Sequence, residues 1–338
     1  MNEFKTFIGI DISKKTFDAA VLKLNSPGKV VHQCFSQTGD GYKSFVSWLT
    51  EQQVIIDQQV LICMEHTGIY INSLVDFLVS IHANIWVEMP LRIKKSLGLQ
   101  RGSDDKLAAI NIAQYACRFK DMVKLWKPVD TTLQQLRNLL AQRDRLVLTL
   151  SQLTVPLNEM QECGNETGAK QLKKLQQKAI AGLEKSLQLV EQAIDDKVCQ
   201  EENINKVINQ VTSIKGVGKQ TAIKLYVYTH GFSAFENAKQ LACYCGVVPF
   251  NKTSGTSVRY KPGVSPFANR KLKKLLHLCA MSALRWDAEI RVYYLRKVAE
   301  GKNKMSVINA IRNKLLHRIF AVVRDNRCYV ENYTYGCA

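Results

Sequence analysis

The chain of 338 residues carries 47 Lys and Arg against 29 Asp and Glu, a formal net charge of +18, with 46% hydrophobic and 22% charged residues. That composition excludes wholesale disorder, and the length predicts two or three domains, each able to bury a core. No apolar run reaches the roughly 18–20 residues of a membrane span, and MNEFKTFIGID enters a strand-like run with no signal-peptide core, so a cytoplasmic protein without a membrane segment is expected. The ten cysteines form no CxxC pair, which predicts free, mostly buried thiols in a reducing compartment.

In chain order, residues 4–12, 17–24 and 29–35 read as three short strands, bounded by Ser13-Lys14-Lys15 and by Asn25-Ser26-Pro27-Gly28. Close turns make them an antiparallel meander. A helix is predicted over 41–52, a strand over 59–64, a helix over 70–80 and a strand over 84–88. Helices follow over 91–97 and 105–119. The order β-β-β-α-β-α-β-α is that of a ribonuclease-H-like domain, a mixed sheet with helices on its faces, placed at residues 1–122.

Residues 123–205 are predicted to be helical. Leu133, Leu136, Leu140, Val147, Leu150 and Leu157 follow alternating steps of three and four, apart from Arg143 and Thr154, with Pro156 expected to kink or end that helix. After Gly164-Asn165, a second seam runs through Ile180, Leu183, Leu187, Val190 and Ile194. An antiparallel hairpin, an intermolecular coiled coil and a linker packed on its own domain all remain open. From residue 206 to 338 a basic, mostly helical domain is expected. Ile214-Lys215-Gly216-Val217-Gly218-Lys219 has the form of a helix-hairpin-helix turn, whose glycines let backbone amides approach a phosphate. Helices are predicted near 238–245, 268–286 and 304–323, around a loop at 246–267.

Charge is uneven. Residues 211–338 hold 22 Lys and Arg against 6 Asp and Glu, whereas residues 1–210 hold 25 against 23. A concentrated positive field is the footprint of a phosphate-backbone partner; a basic solvated surface is the plainer reading.

Two groups of residues carry chemistry. Asp11 ends the first strand and Glu65 the fourth, neighbours in this topology, and Asp104 and Asp105 open the domain's last helix. Clustered carboxylates repel unless a divalent cation sits among them, and hard oxygen donors favour Mg²⁺ or Mn²⁺. The plainer roles are turn formation for Asp11 and helix capping for Asp104 and Asp105. The second group is the loop GVVPFNKTSGTSVRYKPG, with Ser254 before Gly255, cations at Lys252, Arg259 and Lys261, and Arg270-Lys271 downstream. A serine on such a loop is chemically able to attack a phosphodiester, but composition alone favours a phosphate-gripping loop in which Ser254 only hydrogen-bonds.

Together GIDISKKTFD, MEHTGIY, RGSDDKLAAINIAQYA, IKGVGKQTA, AKQLACYCGVVPFNKTSGTSVRY and NRKLKKLLH resemble the DEDD recombinases of insertion-sequence-110 elements, relatives of the Piv-type invertases. The resemblance covers most of the chain. It implies a junction-resolvase-like first domain, a helical dimerisation segment and a C-terminal transposase domain. It also implies metal-binding acids at Asp11, Glu65 and Asp105, and a serine nucleophile, at Ser254, that forms a covalent phosphoserine link to DNA. Donor and target DNA, a structured noncoding guide RNA and a homodimer or homotetramer are its implied partners, with nucleoid association when DNA is bound. One position departs from the pattern: where the family carries its fourth acid, this chain has Ala108. Either Asp104 substitutes or the chain is inactivated there. The rival functions are a metal-dependent junction-resolving nuclease and a catalytically dead nucleic-acid-binding homologue.

Overall fold

A computed structural model describes residues 3–25, 30–96, 98, 104–128, 130–254, 258–265 and 268–331, with the backbone alone for 251–254 and 258–262. The expected turn residues Ser26, Pro27 and Gly28, the motif residues Arg101, Gly102 and Ser103, and Gly255, Thr256 and Ser257 lie outside the described residues. The chain forms two compact units, residues 1–128 and 129–338.

The first unit is a five-stranded mixed sheet. Its strands are β1 (Thr6–Ile12), β2 (Thr16–Lys23), β3 (Val31–Ser36), β4 (Val60–Glu65) and β5 (Asn84–Glu88), in the order β3-β2-β1-β4-β5. β1 pairs antiparallel with β2 and parallel with β4, which pairs parallel with β5. The helices are α1 (Gly39–Glu51), α2 (Asn72–Ser80), α3 (Pro90–Ser96) and α4 (Asp105–Arg118). Strand side chains alternate between faces. Ile8, Ile10 and Ile12 therefore join Phe45, Leu49, Leu74 and Leu78 under α1 and α2, while Phe7, Leu61, Cys63 and Trp86 meet Ile112, Tyr115 and Ala116 of α4. Gly9 is the close approach on the α4 side: a Cβ there would lie 2.2 Å from Ala109 O and Ala113 N. Any larger residue would force α4 off the sheet.

The second unit is helical around one core. A long pair, α5 (Thr131–Glu162) and α6 (Glu166–Gln200), forms a hairpin within the chain, tied by Arg143 to Glu191 at 2.8 Å. Leu136, Leu140, Ile194 and Val198 at its base belong to the core of the helices that follow. Pro156 does not end the helix: α5 runs through it to Glu162, and Leu157 and Ala169 are buried in the hairpin. Packing along the hairpin compensates the hydrogen bond that proline removes. Asn165 then caps α6, accepting from Gly168 N at 3.0 Å.

The core continues through α7 (Glu202–Thr212), α8 (Lys219–Tyr228), α9 (Ala238–Tyr244), α10 (Arg270–Trp286), α11 (Ala288–Ala299) and α12 (Lys304–Arg324). α11 was not separated from its neighbours by sequence; Asp287 starts it, accepting from Ile290 N at 3.0 Å. The expected loop at 246–267 instead contains an antiparallel hairpin, β6 (Phe250–Ser254) and β7 (Val258–Gly263). Strand-forming Thr, Val and Tyr flank a short Gly-containing connection, the composition of a β-hairpin. Thiols are also less buried than expected: Cys63, Cys245 and Cys279 are buried, but Cys34, Cys163, Cys199 and Cys328 are exposed.

Candidate functional site

Sheet register decides which acids meet. In the parallel ladder Ile10 faces Met64, so Asp11 and Glu65 follow as neighbours at the strand ends. In the antiparallel ladder Asp11 faces Asp18, and in the outer parallel ladder Glu65 faces Glu88. Period-two alternation puts all four carboxylates on the α4 side of the sheet. Asp18, Asp11, Glu65 and Glu88 thus form a row across four strands.

The two outer acids are satisfied internally. Asp18 is buried, with its Oδ1 2.7 Å from His32 Nε2. Glu88 is buried and accepts from Met89 N at 2.7 Å, Tyr115 Oη at 3.2 Å and Arg92 Nη1 at 3.4 Å. Burial and the Glu88 charge together push the Tyr115 hydroxyl up to about 12. The two inner acids differ. Among the described residues no Lys, Arg or His pairs with Asp11 or Glu65, which are both half-buried. Burial first, then the charges of Glu65 and Asp105, push the Asp11 carboxyl up to about 6. That shift is the electrostatic signature of like charges held together in a partly dry place.

Asp105 is the first residue of α4, and its charge reaches Asp11. Asp104 is the N-cap, its Oδ1 accepting from Leu107 N at 2.6 Å. Ala108 sits one turn after Asp105 on the same helix face, half-buried and without an oxygen to offer. A hard divalent cation fits the donors present: all are carboxylates, and their charge is uncompensated. Yet among the described residues no three acidic, His or Cys side chains stand close enough to hold an ion. Uncompensated repulsion favours such separation, so an arriving cation would have to draw Asp11, Glu65 and Asp105 inward.

In the second unit, α7, the turn at 213–218 and α8 form the expected helix-hairpin-helix element. Gly216 has φ +93°, and a Cβ there would lie 2.7 Å from Ala283 N on α10, so this position requires glycine. Gly218 is the N-cap of α8, at an ordinary φ of −85° and in open space. Lys215 is ion-paired with Glu331, and Lys219 with Asp195 at 2.8 Å. Arg270 and Lys271 open α10, both exposed, with Lys271 Nζ 3.8 Å from Asp144 Oδ2. Ser254 is the last residue of β6, opposite Val258; Lys252 faces Tyr260, and Arg259 faces Thr253. Lys261 lies in β7.

Sequence reasoning missed Asp18 and Glu88. The signal for Asp18 was available: Asp11 and Asp18 lie equally far from the centre of a tight β-turn, which makes them cross-strand partners.

A family model described as "Transposase IS116/IS110/IS902 family" matches residues 208–295, and a second, the DEDD-type IS110 transposase model, matches residues 8–160. The pilin gene-inverting protein of Moraxella bovis is 29% identical over 328 residues, spanning 96% of this chain and 97% of that one. The insertion element IS110 43.6 kDa protein of Streptomyces coelicolor is 34% identical over 126 residues, 37% of this chain and 31% of that one. Among solved structures, T. thermophilus RuvC in complex with Holliday junction substrate matches at 11% identity and a TM-score of 0.27, covering 36% of this chain and 99% of that one. That score is too low to add to the strand order itself. With the two models matched in chain order and a relative aligned along nearly its whole length, the chain belongs to the IS116/IS110/IS902 family of transposases.

Proposed function

We propose that the chain is a divalent-metal-dependent DNA recombinase that moves an insertion element. The observation that carries this reading is the pair Asp11 and Glu65, uncompensated at adjacent strand ends with Asp105 in electrostatic reach. The first unit would bind and orient the scissile phosphodiester through these acids. Mg²⁺ or Mn²⁺, held by Asp11, Glu65 and Asp105, would neutralise charge on the phosphate and its leaving oxygen. Asp104 caps α4 with one carboxylate oxygen and has the other available for the ion.

Ser254 supplies the nucleophile. Its Oγ attacks phosphorus, the bond to the leaving oxygen breaks, and that oxygen takes up the proton the serine gives up. The phosphoserine ester keeps the energy of the broken bond, so attack by a new strand's hydroxyl rejoins DNA and frees the serine. Lys252, Arg259, Lys261, Arg270 and Lys271 bind the backbone, with the Lys215–Lys219 turn and its two glycines, Gly216 and Gly218, presenting amides to phosphate. Donor and target DNA are the substrates. A structured noncoding RNA guides their choice, and its phosphates suit the same basic surface. Acids and serine belong to different units, so a homodimer or homotetramer would complete the centre only when assembled. Boundaries at 1–122, 123–205 and 206–338 give the acid-bearing, dimerising and serine-bearing domains. Among the described residues no helix is long and apolar enough to cross a membrane. Such an enzyme works in the cytoplasm, at the nucleoid.

Ala108 favours a second reading, a homologue that binds nucleic acid without cutting it. The test compares the chain with Ala108→Asp on element-end DNA and Mg²⁺, scoring covalent protein–DNA adduct. An adduct that vanishes with Ser254→Ala supports the recombinase. Cleavage without any adduct supports a water-using junction nuclease, and binding without cleavage in both chains supports the silent homologue.

A further inference from the structure

Arg312, on α12, is a buried cation without an anion. It is 7% exposed. Its Nη2 lies 2.7 Å from His277 Nδ1 on α10, its Nη1 3.4 Å from Asn309 Oδ1, and its buried Nε has no partner. Every Asp and Glu of the chain is among the described residues, and none forms an ion pair with Arg312. Arg318, further along the same helix, has what Arg312 lacks: Asp287 at 2.7 Å and Glu289 at 2.6 Å.

The protonation states follow from chemistry. A guanidinium keeps its proton inside a protein and only donates. His277 Nδ1 must therefore be the acceptor, which makes this imidazole neutral and puts its hydrogen on Nε2 as a further donor. A buried charge with neutral partners alone is costly, and natural proteins compensate it with an opposite charge. Among the described residues no carboxylate supplies that charge. The guanidinium fork matches two oxygens of one phosphate group.

The place of the cluster fits. Asn309 Nδ2 donates to Val247 O at 2.6 Å, and Val247 lies just before β6. Residues 237–286, which include the whole hairpin, contain no Asp or Glu. Asn309 thus links Arg312, and through it His277, to the chain three residues before β6, and residues 237–286 bring no carboxylate to compete.

Resting on the recombinase reading above, we infer that Arg312 and the Nε2–H of His277 form a docking site for one phosphodiester group of the nucleic acid that the β6–β7 hairpin handles. DNA and RNA share this group, so the test has two arms. The full chain, as wild type and as Arg312→Met, is titrated with a short DNA duplex and separately with an RNA of equal length, each across a salt series. In at least one arm the variant binds severalfold more weakly, and its slope of log affinity against log salt is smaller by about one, the loss of one phosphate contact. The arm that changes names the strand. A wild type that binds normally and a variant with unchanged slope in both arms overturn the site and leave the recombinase reading standing. A wild type that binds neither nucleic acid overturns that reading, and the site with it. A second measurement needs no variant: in arginine-labelled wild type, the Arg312 Nε–H resonance moves when the bound nucleic acid is added. A stationary resonance overturns the site even where Arg312→Met fails to fold.

Discussion

In the first unit the uncompensated charge is negative and sits on regular strands; in the second it is positive and sits on the helix α12. Asp11 and Glu65 are placed by ladder register at the ends of β1 and β4, two interior strands whose residues are almost all buried. Arg312 and His277 are placed by the packing of two helices, 35 residues apart in sequence. Each arrangement stores the same kind of cost, a charge partly out of water without its opposite. The comparison teaches that each unit leaves charge without its opposite: carboxylates without a paired cation in the first, a guanidinium without a paired carboxylate in the second.

The strongest way to break that comparison is to remove the proposed nucleophile. In the Ala108→Asp background, Ser254→Ala lowers covalent adduct formation by on the order of 10³-fold or more while duplex affinity is kept. Gel resolution of protein–DNA adducts reads the first, and fluorescence anisotropy the second. If adduct persists, the serine belongs to backbone binding alone.

Glycine substitution sharpens the contrast between the units' scaffolds. Gly9→Ala puts a methyl group 2.2 Å from α4 backbone and should cost about 1–3 kcal/mol or more in urea unfolding, with loss of any metal-dependent cleavage as Asp11 is displaced. Gly216→Ala should destabilise the second unit, because both its φ and the Ala283 contact forbid a side chain. Gly218→Ala, in open space at an ordinary φ, should cost only a few tenths of a kcal/mol to about 1 kcal/mol. Equal costs at 216 and 218 would contradict the turn as described.

Asp11→Asn tests the sign of the acid site. The folded protein holds the Asp11 proton more tightly than the unfolded chain, since its carboxyl is raised to about 6 from an ordinary 3.8. The stability this group contributes is therefore fully present below about pH 4 and is lost as pH rises through 6. Asn cannot ionise, so in chelator the variant gains on the wild type between these values and stays ahead at pH 7.5. Added Mg²⁺ at pH 7.5 should close the gap by stabilising the wild type alone. A gap that is constant with pH would remove the case for clustered like charges.

The smallest effect is at the cap. Asp104→Ala should cost about 1 kcal/mol by loss of the bond to Leu107 N, in urea unfolding without metal. If metal-dependent stabilisation also disappears, Asp104 serves the ion as well as the helix.

Much of the first unit was legible in order. Its strands are short, β-branched and separated by turn residues, and the acids fall at their ends, so element order places Asp11 beside Glu65. The row that extends to Asp18 and Glu88 was not read, because it needs the register of three ladders at once. The second unit was legible in its helical spans and its glycine turn. The hairpin at 250–263 was hidden in a segment that reads as cationic loop, and α5's passage through Pro156 was hidden because a local rule for proline carries no information about the partner helix.

The sequence by itself determined the sheet's strands, the charge imbalance along the chain and the residue types of both candidate groups, since each depends on neighbours within a few residues. Only the tertiary structure decided which acids are already satisfied by His32 or Tyr115, which of two glycines is conformationally required, and that Arg312 is left facing a histidine in place of a carboxylate. Those outcomes depend on distances between residues far apart in the chain, where burial fixes the worth of a charge and packing alone decides who stands next to it.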